Sequence, residues 1–124
     1  MKTKFKLGPL QNKWLGLLES NLYWQGSGKL CRIVDNDCHF CCLGLLVDQV
    51  LKIHGELENY LKRPSRYTYH SLASVLPHEA RSRIKMTEKG QSLLIKMNDS
   101  ERKSFKEIAS AIRKRPQSFF YKSA

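Results

Sequence analysis

An α+β domain, mostly helical, with a small antiparallel β-hairpin packed on a central helix, is the fold class this sequence predicts. Three observations carry it. Leu43, Leu46, Val47, Val50, Leu51 and His54 recur at the spacing of one helix face. Ser104-Phe105-Lys106-Glu107 has the form of a capping box, in which the serine oxygen accepts the third amide and the glutamate reaches back to the first. Between them in kind, residues 29–34, Asp35-Asn36-Asp37 and residues 38–41 read as strand, tight turn and strand.

Taken in order, residues 1–9 form a basic arm ending at Gly8-Pro9, a lead-in rather than a helix. Leu10, Trp14, Leu17 and Leu18 then share a helix face, with Asn12 as its expected N-cap and Leu15 at the margin. Gly26-Ser27-Gly28 breaks the chain before the hairpin. The central helix follows, with Gly55 expected as its C-terminal cap. Arg63-Pro64-Ser65-Arg66 interrupts residues 57–76, which read as a loop-rich insertion. Pro77 suits the first turn of a helix through Arg83, with Glu79 favourable near its start, and Thr87 to Gly90 break the pattern again. Leu93, Leu94 and Met97 suggest a short apolar helix or strand. The last helix carries Ile108, Ala111 and Ile112 inward and stops by Arg115, since Pro116 cannot donate the next backbone bond. Residues 116–124 form a basic, aromatic tail, and no internal repeat is visible.

A chain of 124 residues makes one domain, 1–124, with a modest core. Its 22 Lys+Arg against 11 Asp+Glu give a formal net charge of +11, which favours polyanionic partners. No stretch has the length and apolarity of a membrane span, and the opening residues lack the apolar core of a signal peptide. The expected compartment is a cytosol, where Cys31, Cys38, Cys41 and Cys42 remain free thiols; vicinal Cys41 and Cys42 are poorly placed to pair with each other.

Several constellations bear on chemistry. Cys38 and Cys41, with Cys31, Cys42, His39 and His54 nearby, have the C-x-x-C spacing of a zinc knuckle, yet positions three apart on a strand face opposite ways and no second ligand pair follows. The reading favoured is apolar core thiols and no metal or other cofactor. A nucleophilic cysteine needs a base, and nothing selects among His39, His54, His70 and His78. Asn98-Asp99 reads as a turn before a ligand site, and Asp48, His54, Glu56 and Glu58 as helix-end solvation before an acid/base pair. Gly26-Ser27-Gly28-Lys29 lacks the Walker pattern, but its freed amides beside Lys29 and Arg32 can receive a phosphate.

One pattern extends across much of the chain. Trp14, Leu18, Ser20, Tyr23, Gln25, Gly26, Gly28 and Leu30 lead to Phe40-Cys41-Cys42-Leu43-Gly44, Leu46 and Asp48. Leu94, Asn98-Asp99, Ser104-Phe105 and Glu107-Ile108-Ala109 follow downstream. The whole resembles a family of small proteins encoded by tailed phages and prophages, and departs from it at Val47, where relatives often carry a cysteine, and over residues 57–69. The resemblance implies an origin and a setting, the cytoplasm of an infected bacterial host, rather than a mechanism.

Basic groups carry the mechanistic expectation. Lys2, Lys4 and Lys6, then Lys62, Arg63 and Arg66, Arg81, Arg83 and Lys85, Arg102, Lys103 and Lys106, and Arg113, Lys114 and Arg115 are clustered. Tyr67, Tyr69, Phe119, Phe120 and Tyr121 lie beside two of these groups, and cations with aromatic faces suit single-stranded nucleic acid or a nucleotide. The expected function is therefore a non-enzymatic accessory binding protein of counter-defence. Its target would be anionic: nucleic acid, a nucleic-acid-containing defence complex, or a nucleotide immune signal. Lys62, Arg63, Arg66, Arg81, Arg83, Arg113 and Arg115 would supply positive potential, and Tyr67 or Tyr69 a stacking face. The alternatives are direct inhibition of a host enzyme by the basic face, and an enzyme using a cysteine or histidine. Self-association into a homo-oligomer is left open.

Overall fold

The computed structural model describes residues 5–60 and 63–122. Among these residues, five α-helices and a five-stranded sheet form an α+β fold around one buried cluster that draws on each of these helices and on the sheet's inner face. Helix α1 (Pro9–Glu19) begins earlier than its sequence suggested, because Pro9 already has the φ of a first helical residue and lacks only an N–H that would go unused there. Gly8, not Asn12, is the cap residue, and its N–H donates to Gln11 Oε1 at 2.8 Å. Trp14, Leu15 and Leu18 are buried; Leu15 is wholly inside rather than marginal. The Trp14 indole donates to Cys42 O at 2.9 Å and meets Phe120 edge to face.

The sheet runs in the order β1-β3-β2-β5-β4. Its centre is the expected hairpin, β2 (Cys31–Val34) and β3 (Asp37–Phe40), closed by Asp35 and Asn36 at φ 50° and 68°. Those two residue types tolerate the left-handed region that a two-residue hairpin turn demands. The two-residue β1 (Trp24–Gln25) adds parallel to β3. The loop-rich reading of residues 57–76 is corrected: β4 (Glu56–Tyr60) and β5 (Arg63–Thr68) form a second antiparallel hairpin, and β5 pairs with β2. Its polar residues belong to a sheet with one wet face, and the register shift at Glu58/Asn59 accommodates Pro64, which has no N–H for the ladder.

Helices α2 (Cys42–Leu45) and α4 (Glu88–Ile95) share a construction that no sequence repeat announces. Each follows an extended residue, Cys41 or Thr87, whose N–H donates to a distant carbonyl, Leu30 O at 3.2 Å or Phe119 O at 3.0 Å. The side chains of Cys41 and Thr87 then accept from Gly44 N and Gly90 N. Each helix runs on into a π turn, Leu46–Val50 or Lys96–Ser100, and ends on a left-handed residue, Lys52 at φ 56° or Arg102 at φ 51°. Matching bonds close the two ends: Leu51 N to Leu46 O and Ile53 N to Val47 O, Glu101 N to Lys96 O and Lys103 N to Met97 O. Thus Lys52, not Gly55, turns the chain after the central helix, and Thr87 to Gly90 start a helix rather than break one. Gly55 instead lies against the Tyr69 ring, which a β-carbon there would meet at 2.8 Å.

The last elements are α3 (His78–Ile84), for which Pro77 is the cap residue, and α5 (Phe105–Lys114). The capping box forms as expected, with Ser104 N donating to Glu107 Oε1 at 2.9 Å and Glu107 N to Ser104 Oγ at 3.1 Å. The Ser104 amide, and after it the Ser104 hydroxyl, hold the Glu107 carboxyl below its ordinary pKa. A 3₁₀ turn (Pro116–Ser118) then brings Phe119 and Phe120 into the core. The two ends are therefore not merely appended: Phe5 and Leu7 also pack on the core, while residues 1–4 and 123–124 of the expected arm and tail lie outside the described residues.

Candidate nucleic-acid interface

Direct partners in a ladder share a face, so the register aligns one row across all five strands: Trp24, His39, Arg32, Arg66 and Glu58. The adjacent inner row is Gln25, Phe40, Cys31, Tyr67 and Leu57, whose middle members join the core. The first row is thus the outer face. Trp24 is 64% exposed and stacks on His39, with ring centroids 5.8 Å apart and planes 15° from parallel. Arg32 is exposed next to that pair, and Arg66 lies beyond it, its Nε donating to Glu58 Oε1 at 2.8 Å. Leu22, on the approach to β1, and Val34, on β2, add exposed apolar area.

The glycine loop adjoins this row. Gly28 takes φ 81°, and a β-carbon there would lie 3.5 Å from the Arg32 guanidinium. Behind the loop, Gln25, Gly26, Ser27, Asn98 and Arg102 line a cleft of about 240 Å³. The left-handed end of the α4 π turn delivers Arg102 there. The cleft floor is held by amides that satisfy one another. Asn98 Oδ1 accepts from Gln25 Nε2 at 2.9 Å and Cys42 N at 3.2 Å, while Asn98 Nδ2 donates to Gly26 O and Asp99 Oδ1. Gln25 also donates to Lys103 O and accepts from Phe105 N. Asn98 is 4% exposed and ties the loop and α2 to the end of α4, with Gln25 carrying the link on to α5, a wider role than the turn its sequence suggested.

Among the described residues, the sequence-predicted cations are not assembled into one site. Arg66 alone stands on the sheet row; Lys62 lies outside the described residues, and Arg63 is described as a β5 backbone position. Arg81 and Arg83 project from α3, where Arg81 meets Glu88 at 3.5 Å and Arg83 donates to Leu51 O at 3.2 Å. Arg113 forms a two-pronged pair with Glu19, both contacts 2.8 Å, which lowers the Glu19 pKa, and Arg115 is exposed at the end of α5. The proposed stacking faces are corrected. Tyr69 is fully buried, its hydroxyl donating to Asp48 Oδ2 at 2.6 Å, and Tyr67 is half-buried on the inner side of β5. Alternation decides this: Arg66 points outward, so its neighbour Tyr67 points inward, and Tyr69 follows Tyr67. Burial and the Asp48 carboxylate push the Tyr69 phenol pKa up.

Cysteine chemistry also changes. Cys31 and Cys38 are joined as a cross-strand disulfide, Cα atoms 5.8 Å apart, which corrects the expectation of four free thiols; the tight turn brings them to diagonal positions on one face of the hairpin. Cys41 and Cys42 are free and buried. Desolvation pushes the Cys41 pKa up to about 12 and Cys42 upward as well, the opposite of an activated thiolate. Among the described residues, no three His, Cys, Asp or Glu side chains converge as a metal site, and no helix is long and apolar enough to cross a membrane.

Trp24, His39 and Arg102 are the groups that sequence reasoning left out of the candidate site. The hairpin alternation was the available signal, for it sets Arg32 and His39 opposite Cys31 and Phe40. No family model, curated protein or solved structure matches this chain.

Proposed function

We propose that this protein is an accessory binding protein that takes single-stranded nucleic acid on the outer face of its sheet. The observation that carries the reading is the exposed Trp24–His39 stack beside Arg32. A base can extend the stack on the free face of Trp24 while Arg32, and Arg66 beyond it, meet the backbone phosphates. Strands lie about 4.8 Å apart, so the row from Trp24 to Arg66 spans about 14 Å, enough for a short run of nucleotides. The formal net charge of +11 adds a long-range attraction for any polyanion. The resemblance to phage-encoded proteins supports placing this binding in an infected host, as occupancy of a nucleic acid or a nucleic-acid-containing defence complex.

A second reading rests on Leu22, Trp24 and Val34, whose exposed apolar area beside cations equally suits an acidic host protein inhibited by docking. Tryptophan fluorescence separates the two. Trp14 is buried and Trp24 exposed, so quenching on titration with an oligonucleotide reports the sheet face alone. Trp24→Ala should weaken binding by about 1–3 kcal/mol, read by anisotropy of a labelled strand. Absence of binding at low salt would reject the nucleic-acid reading and leave the protein-target one.

A further inference from the structure

On α3, His78, Arg81 and Ser82 fall at i, i+3 and i+4 and form one polar stripe, while Ala80 and Ile84 are buried, and Lys85, the left-handed residue that ends the helix, joins the stripe at the cavity. The stripe does not simply face water. Together with Met86 and Tyr121 it lines a cavity of about 180 Å³. Tyr121 is brought there by backbone pairing: its N–H donates to Lys85 O at 2.7 Å, and Met86 and Phe120 form an antiparallel bridge. Phe119 and Phe120 anchor this segment in the core, whereas the Tyr121 ring stays 60% exposed. A fixed backbone thus holds an exposed aromatic face against a stripe of cationic and hydroxyl groups.

We propose that this cavity binds a nucleoside phosphate, the phosphoryl group on Arg81, Ser82 and Lys85 and the base on Tyr121. Size supports the division. Sites that enclose a whole drug-sized ligand run to about 300–1,000 Å³, so a smaller cavity takes the phosphate and part of the sugar and leaves the base outside. Arg81 has an ion-pair partner in Glu88, but that carboxylate is 85% exposed and 3.5 Å away, a contact that a phosphate can displace at little cost. Met86, a core residue, closes the inner side of the cavity. The site shares no residue with the Trp24–Arg66 row and does not rest on the sheet-face reading.

The test is an NMR amide titration of the full chain with adenosine monophosphate, adenosine and inorganic phosphate separately. The nucleotide should give saturating shifts at Ser82, Lys85 and Tyr121, and bind more tightly than either fragment. Arg81→Gln and Tyr121→Ala should each weaken it about tenfold, the scale of one charge-assisted hydrogen bond or one stacked ring, with the rest of the spectrum unchanged. The proposal is overturned by no saturation, by shifts that persist in both variants, or by inorganic phosphate binding as tightly as the nucleotide. Shifts confined to Trp24, Arg32 and His39 would also overturn it, by assigning nucleotide binding to the sheet.

Discussion

At the residue scale, Asn98 does the most with the fewest atoms. A primary amide offers two donors and an acceptor with two lone pairs, and Asn98 uses all of these on Gln25, Cys42, Gly26 and Asp99. No substitution supplies the same set. Asn98→Ala strands the buried Cys42 amide and the partly buried Gly26 carbonyl, and should cost about 2–4 kcal/mol in urea unfolding. Asn98→Asp keeps the acceptors but loses both donors and adds charge beside Asp99, so it should be at least as damaging; recovery of wild-type stability by either variant would show the network to be dispensable. This role was half legible. Asn98-Asp99 was recognisable as a paired motif, but the other partners, Gln25, Gly26 and Cys42, lie more than 50 residues away in sequence, and no local pattern names them.

At the element scale, the α2 and α4 constructions depend on backbone approach that only glycine permits. A β-carbon at Gly44 would lie 1.7 Å from Leu30 O, and one at Gly90 would lie 2.3 Å from Phe119 O. Both obstacles are backbone, so neither can swing aside. Gly44→Ala should therefore cost more than about 4 kcal/mol and compromise folding, detected as loss of cooperative thermal unfolding. Gly16, in the middle of α1, has nothing within 4 Å of its would-be β-carbon. There alanine should stabilise by about 0.5–1 kcal/mol, because the helix no longer bears the extra backbone entropy of glycine. Opposite signs from one substitution type would separate packing from propensity. The start of α5 was legible because its signal is local: four consecutive residues contain both halves of the box, whereas Ala109, which is buried, was left off the face and Ala111, which was put on it, is only partly buried. The second hairpin was not, because its strands carry charges on the wet face and a proline at the bulge, which read as a loop until pairing with β2 is known.

At the scale of the whole molecule, the number of positive charges matters less than how many are already paired. Arg113 is committed to Glu19, and Arg66 to Glu58, while Arg32 stands in the middle of the row. Glu58→Gln should release Arg66, tighten oligonucleotide binding, and steepen the slope of log K against log salt by about 0.7, the counterion term for one more phosphate on a single strand. Arg113→Ala should leave that slope unchanged and alter stability by no more than about 1 kcal/mol, since its pair is on the surface. A reversed ranking of these variants would move the anion-binding face from the sheet to α5.

What the sequence determined by itself was the α+β class, the first hairpin, the central and C-terminal helices, and a strong cationic excess, because periodicity, turn chemistry, capping and composition are local or additive properties. Which cations face a common ligand, which tyrosines are inside, which cysteines meet and where the glycines touch backbone were decided by the tertiary structure. The physical reason is the sheet. A strand shows its alternation in sequence, but only pairing with its neighbours sets which alternate set meets the core and which lines up, strand by strand, from Trp24 to Glu58.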